Sequence, residues 1–312
     1  MPVIGYYNGK FLDPTSSVVP IEERGHEFGD GVYEVIRVYG GQPFLLDWHI
    51  ERLLNSLHAI RIPSPHDADG YKELIVSAIQ RSAEEEASIY LQVTRGAAAR
   101  NHLFPADTTV PSVSLVVRPL SAKPDQKPGK LLIQPDERWA NSYIKTLNLL
   151  PNILAKQAAH DAGADEALLV RDGHMIESAS SNLWFVRDGK LITAPTDRFI
   201  LPGITRRYVL ELAGQLDIPV EQVKLPLSEL SSVDGIFITG TILEILPIES
   251  VLSHPVFGPL DTLQSGSPHP LDVKPEECEV IWRARDLSVV EQLRQAFDAG
   301  ITAFRAATSV SI

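Results

Sequence analysis

The chain has 312 residues, enough for two domains with separate cores, and its 44% hydrophobic and 22% charged residues fit a globular protein. A net charge of −12 leaves no basic footprint for nucleic acid or an anionic membrane. The single cysteine, Cys278, excludes an internal disulfide and suggests no metal site.

No long apolar run and no signal-peptide pattern occur over residues 1–20, so the cytoplasm is the expected location. Val3–Tyr7, Asn8-Gly9 and Lys10–Leu12 predict a hairpin with a type I′ turn. A glycine-rich bend, Gly25–Gly31, leads into a strand at Val32–Tyr39, rich in β-branched and aromatic residues. Trp48–Ile60 carries Ile50, Leu53, Leu54 and Leu57 at helical spacing, and Tyr71–Ala87 predicts a second helix. Strands follow at Ile89–Thr94 and Val113–Val117, joined by the segment Arg95–Phe104.

Residues 121–129 have the composition of an exposed linker and divide the chain. The expectation is an α+β protein with a smaller N-terminal α/β domain, 1–120, and a larger β-rich C-terminal domain, 130–312. In the second part, strands are predicted at Leu131–Gln134, Glu166–Arg171, Met175–Ile176, Leu183–Val186, Leu191–Thr193 and Gly235–Thr239. Two Asp-Gly pairs, at 172–173 and 188–189, mark hairpins. A helical pattern begins near Asn152, and further helices are expected at Ile204–Leu216 and Val289–Phe297, the last with a capping box from Ser288 to Glu291. Ser253–Pro275 reads as a loop and Thr302–Ile312 as a loose tail.

The chemistry centres on Lys145, in Tyr143-Ile-Lys-Thr-Leu-Asn-Leu-Leu150. Burial disfavours an ammonium, so a lysine among such neighbours needs either a partner charge or a task that uses the neutral amine, such as forming a Schiff base. Leu201-Pro-Gly-Ile-Thr205 is a tight turn opening a helix, where backbone N–H groups and a hydroxyl can cradle an anion. Thr239-Gly-Thr241 ends a strand in a second small turn, and Arg52 lies on a helix beside core-facing leucines. Glu177-Ser-Ala-Ser-Ser-Asn182 follows a strand and places a carboxylate where it could pair with a protonated ring nitrogen. Taken singly, these are an ordinary helix cap, turns and a solvated arginine; their order along the chain points to a phosphorylated aromatic aldehyde.

Together, Tyr143–Leu150, Glu177–Asn182, Leu201–Arg206 and Thr239–Thr241 with Glu244 resemble the fold-type IV, or class IV, pyridoxal-phosphate aminotransferases from the first hairpin to about residue 252. The resemblance implies pyridoxal 5′-phosphate as cofactor, with Lys145 forming the Schiff base and carrying the proton. Glu177 would keep the pyridine nitrogen protonated, Leu201 would pack on the ring, and Arg52, Ile204, Thr205 and Thr241 would hold the phosphate. Gly29–Val35 and Thr94–His102 are similar to the D-amino-acid branch, in which the residues matching Tyr33, Arg100 and His102 bind the substrate carboxylate. An extended segment would point Arg100 and His102 the same way, and arginine offers a two-pronged donor.

Some positions depart from that branch. Ser178 and Ala179 stand where glycine and serine are usual, Gly240 replaces a common hydroxyl residue, and Arg37 resembles the branched-chain L-amino-acid branch. The expected activity is transamination of D-amino acids such as D-alanine with a 2-oxo acid by a ping-pong cycle in a homodimer, with small-molecule partners and no metal. A branched-chain L-amino-acid or (R)-amine transaminase is the alternative. An aminodeoxychorismate-type lyase fits the Arg100/His102 pair less well, and a cofactor-binding protein without turnover fits the intact Lys145 and Glu177 less well.

Overall fold

The computed structural model describes residues 3–121, 127–257 and 273–309. They form two compact units. One comprises residues 3–121 with Ile144–Asn148 and 301–309; the other comprises 127–143, 149–257 and 273–300. Residues 122–126 of the expected linker lie outside the described residues.

The first unit contains β1 (Ile4–Tyr7), β2 (Lys10–Leu12), α1 (Arg24–Phe28), β3 (Gly31–Tyr39), β4 (Gln42–Pro43), α2 (Leu46–Ala59), α3 (Ala68–Ser82), β5 (Ala87–Thr94) and β6 (Ser112–Pro119). Its sheet has the order β2-β1-β6-β5-β3-β4, with antiparallel neighbours throughout. The first turn needs left-handed backbone at both central residues, and Asn8 and Gly9 supply it with φ of 42° and 91°. Alternate residues of the central strands, such as Ile89, Leu91 and Val93, bury one face against Ile50, Leu53 and Leu57 of α2 and Tyr71 and Ile75 of α3. The glycine-rich bend differs from expectation by containing α1, which Gly29 closes in left-handed conformation at φ 64°. The expected helix Tyr71–Ala87 is displaced toward the N-terminus: Asp67 caps it by accepting from Gly70 N at 2.8 Å, and Ala83 ends it.

The second unit contains β7 (Gly129–Pro135), α4 (Leu150–Asp161), β8 (Glu166–Arg171), β9 (His174–Glu177), β10 (Asn182–Arg187), β11 (Lys190–Thr193), α5 (Ile204–Gln215), β12 (Val220–Gln222), β13 (Leu225–Pro226), β14 (Gly235–Gly240), β15 (Glu244–Ser253) and β16 (Glu279–Arg283). The strands run in the order β12-β11-β10-β14-β15-β7-β8-β9-β13, with β16 also on β15. β7 pairs in parallel with both β15 and β8, and the remaining neighbours are antiparallel except β11 with β12. Leu131–Ile133, Leu168–Val170, Leu183, Phe185, Ile236 and Ile238 build the core, with the small residues Ala155, Ala158 and Ala159 of α4 allowing close approach.

The closing helix, α6, spans Ser288–Ser309, so Thr302–Ser309 is helix rather than the expected loose tail. Its stripe of Val290, Leu293, Phe297 and Ile301 is buried, and Phe304 meets Phe44 edge-on at 5.1 Å. Ser288 is the first helical residue rather than the expected cap, and its own N–H is satisfied by Asp286 at 2.8 Å. The expected loop Ser253–Pro275 begins with the last residue of β15 and a short 3₁₀ turn at Pro255–Phe257; residues 258–272 lie outside the described residues.

Candidate active site

The first unit places Lys145 against the edge of β3. Tyr33 N donates to Lys145 O at 3.0 Å, Leu147 N to Gly31 O at 3.1 Å, and Thr146 bridges Val32. Ser56 of α2 accepts from Lys145 N at 3.3 Å. The half-buried side chain brings Nζ to 4.3 Å from the centre of the Tyr33 ring, which itself stacks on Tyr90. Two of the expected residues, Lys145 and Tyr33, are thus neighbours.

Arg52 is not solvated. Its Nε and Nη2 each donate to one oxygen of Glu34 at 2.7 Å, and His49 Nδ1 meets the same carboxylate at 2.8 Å. All three side chains are buried. Burial alone would raise the Glu34 carboxyl, but Arg52 and then His49 overturn this and hold it down to about 2. Burial lowers His49 in turn, against the pull of Glu34, leaving a neutral imidazole at neutral pH. The signal in the sequence was a glutamate on the inward phase of a strand and His49 and Arg52 three apart on one helix; this triad was not expected.

The segment 95–104 is bent rather than extended, with Ala97 bridging Glu23. It still brings Arg100 and His102 together: the Arg100 guanidinium lies 4.9 Å from the centre of Phe28, and His102 packs on the same ring at 5.7 Å. Arg100 is 61% exposed, with Nε 3.8 Å from Glu27 Oε1. Arg95 has a structural task, donating to both oxygens of Asp30 and to the carbonyls of Ile60 and Arg61. Arg37, which suggested the branched-chain branch, is tied to Glu86 at 2.9 Å.

In the second unit the three remaining motifs converge on one carboxylate. Glu177 ends β9 and is buried. Its Oε1 accepts from Asn182 Nδ2 at 2.6 Å and from Leu201 N at 3.1 Å, and its Oε2 accepts from Arg138 Nη1. Asn182 Nδ2 also reaches Leu201 O at 2.9 Å, and the backbone of Asn182 pairs with Thr239 across β10 and β14. A Cβ on Gly203 would collide with Asn182 Oδ1, which is why the turn into α5 carries glycine. Thr239 accepts from Trp184 Nε1 at 3.0 Å, a structural use, while Thr241 opens the turn from β14 to β15. Burial pushes the Glu177 carboxyl up to about 7, with Arg138 pulling it back. Arg138, Asp136 and Arg171, which complete this network, were not expected from the sequence.

The residues of this unit fit pyridoxal phosphate. The hydroxyls of Ser178 and Ser181 are buried beside Glu177 and Asn182 without a protein partner. Helix α5 starts at Ile204 with no side-chain cap and no acidic residue in its first turn, leaving N–H donors and the Thr205 hydroxyl for a phosphate. A buried carboxylate held by three donors is suited to a protonated ring nitrogen, and Leu201, half-buried beside it, can lie on the ring.

Comparison with known proteins gives the same picture. The model of the family described as amino-transferase class IV matches residues 31–251. The D-alanine aminotransferase of Bacillus licheniformis is 38% identical over 268 residues, covering 85% of this chain and 92% of that protein. That of Listeria monocytogenes is 37% identical, covering 78% and 86%. Among solved structures, the branched-chain amino acid aminotransferase of Escherichia coli superposes with a TM-score of 0.79 at 25% identity, covering 95% of this chain and 93% of that one. With a match that spans most of its length and includes every motif around Glu177, the chain belongs to the class IV aminotransferases and is a pyridoxal 5′-phosphate-dependent enzyme of fold type IV.

Proposed function

We propose that the enzyme moves the amino group of a D-amino acid such as D-alanine to a 2-oxo acid by a ping-pong cycle. The observation that carries the substrate reading is the pairing of Arg100 and His102 on Phe28, a two-residue donor set for a carboxylate. The D-alanine aminotransferase relatives support it.

Pyridoxal phosphate, when bound, supplies the electron sink that makes the substrate's α-proton acidic. Lys145 Nζ would attach the cofactor and, once displaced by the substrate's amine, would be free to carry the α-proton, so that one amine serves as nucleophile and proton carrier. Its backbone, fastened to β3 and α2, fixes where that amine can reach. Glu177 would keep the ring nitrogen protonated, and Leu201 would hold the ring plane. Ile204, Thr205 and Thr241 would bind the phosphate, with Arg52 contributing charge from an orientation that Glu34 fixes. Tyr33, Arg100 and His102 would bind the substrate carboxylate.

A cytoplasmic homodimer is part of the same proposal. No helix among the described residues is long and apolar enough to cross a membrane. Leu150 and Ile153 of α4 are 65% and 59% exposed, which suits a covered face between two copies. A sedimentation mass of one chain at micromolar concentration would remove the dimer.

The test of substrate class is a half-reaction screen. The yellow enzyme is mixed in turn with D-alanine, L-leucine and a simple amine while the visible band of the bound cofactor is followed. D-alanine should bleach it fastest; faster bleaching by L-leucine would assign the branched-chain reaction instead.

A further inference from the structure

The Arg138 guanidinium is held on three sides. Its Nε and Nη2 donate to the two oxygens of Asp136 at 2.8 and 3.0 Å, and Nη2 also donates to Phe199 O at 3.1 Å. Asp136 further accepts from Arg138 N at 3.1 Å and from Arg171 Nε at 3.0 Å, while Arg171 Nη2 donates to Arg138 O at 2.7 Å. With the fork so clamped, the remaining terminal nitrogen, Nη1, is directed at Glu177 Oε2, the oxygen that Asn182 and Leu201 leave alone. Arg138, Asp136 and Glu177 are buried, and two guanidinium groups balance two carboxylates.

Such a fixed, dry cation is strongly felt by the carboxylate it touches, because little water screens it. We propose that Arg138, clamped by Asp136 and Arg171, is a positioning residue that opposes the protonation of Glu177 favoured by burial and so sets how firmly the cofactor's ring nitrogen holds its proton. This rests on the reading that Glu177 faces that nitrogen. Two further charged groups sense Glu177: Asp136, whose negative charge opposes its ionisation, and Arg206 of α5, whose Nη2 is engaged by Ala194 O at 2.9 Å and Gln222 Oε1 at 2.8 Å rather than by the carboxylate. Arg138 is therefore the cation in bonding contact. Its choice is a compromise: it opposes the neutralisation of Glu177 that burial favours, yet it occupies one of the lone pairs with which Glu177 would hold a pyridinium.

The experiment uses the holoenzyme loaded with cofactor ¹⁵N-labelled at the ring and follows the ring-nitrogen NMR signal against pH, together with the infrared band of protonated carboxyl groups in the cofactor-free chain. In Arg138→Met, the protonated-carboxyl band at neutral pH should be stronger than in wild type and should persist to higher pH, and it should vanish in Arg138→Met/Glu177→Gln. The midpoint for ring-nitrogen deprotonation should fall by roughly one pH unit or more, a tenfold loss of proton affinity. Should Arg138→Met fail to fold, Arg138→Lys carries the same test. One ammonium cannot fork onto Asp136 and reach Glu177 together, so the shift keeps its sign at smaller size. A folded variant whose ring-nitrogen midpoint and carboxyl band match wild type overturns the proposal. Glu177→Gln separates the two ideas: an unchanged ring-nitrogen signal there removes the Glu177 reading itself, whereas a shift there without one in the Arg138 variants removes only the role of Arg138.

Discussion

Gly203→Ala isolates the part of the site that is most tightly specified. The backbone at Gly203, φ −65° and ψ 137°, suits alanine, so no conformational strain opposes the change. The obstacle is Asn182: the new methyl would overlap Oδ1 and lie 3.1 Å from Cγ, while Arg206 Cβ at 3.3 Å needs only a small adjustment. Asn182 must therefore swing away and give up its bonds to Glu177 Oε1 and Leu201 O. The bond to the carboxylate is worth about 1.5–3 kcal/mol and the neutral one about 1 kcal/mol, so a stability loss of about 2–4 kcal/mol follows. In an Asn182→Ala background those bonds are already gone and the space is open. Gly203→Ala should then fall within about 0.5 kcal/mol of zero, the gain from a stiffer unfolded chain offsetting the poorer cap. Urea unfolding of the four cofactor-free proteins gives the coupling directly. Additive losses would refute the steric chain from Gly203 through Asn182 to Glu177.

Glu34 gives a pH signature. Its carboxyl is held at about 2 in the folded chain against an ordinary 4.5, so its stabilisation is fully present above about pH 4.5 and is lost as pH falls toward 2. The stability gap between wild type and Glu34→Gln, at most about 3 kcal/mol from this source, should shrink between about pH 5 and 3; a constant gap would contradict the buried pair with Arg52. Arg100→Ala should raise KM for D-alanine by about tenfold to a hundredfold, the loss of one charge-assisted hydrogen bond, and change KM for an amine without a carboxylate far less. Equal losses would make Arg100 structural.

The parts of the molecule readable from sequence were those in which local chemistry decides. Asn8-Gly9 and the two Asp-Gly pairs fix turns because left-handed backbone is needed there, and the leucine and isoleucine spacing of α2 admits only one buried face. β15 was not foreseen because Pro247 interrupts a strand pattern, although its neighbour β14 pairs with it across that position. β16 was hidden by the charged ends of a five-residue strand. The last turns of α6 depend on a tertiary contact, Phe304 on Phe44, which no local pattern announces. Within the site, Glu177, Asn182 and Leu201 were visible as separate motifs, and their hydrogen bonds required the fold. Arg138 illustrates the limit: an aspartate and an arginine two residues apart after a strand resemble a surface turn, and only the fold joins them to Arg171 of the neighbouring strand β8 and to the buried Glu177.

The assignment of Lys145 bears on everything else, and reduction of the holoenzyme with borohydride tests it most directly. Reduction freezes the cofactor onto the amine that carries it, and peptide mapping locates that amine. The modified peptide should contain Lys145, and Lys145→Ala should lose both the label and the visible band while transamination falls by several orders of magnitude, because nucleophile and proton carrier disappear together. Cofactor on another lysine, or near-normal turnover in Lys145→Ala, would contradict the site built around it.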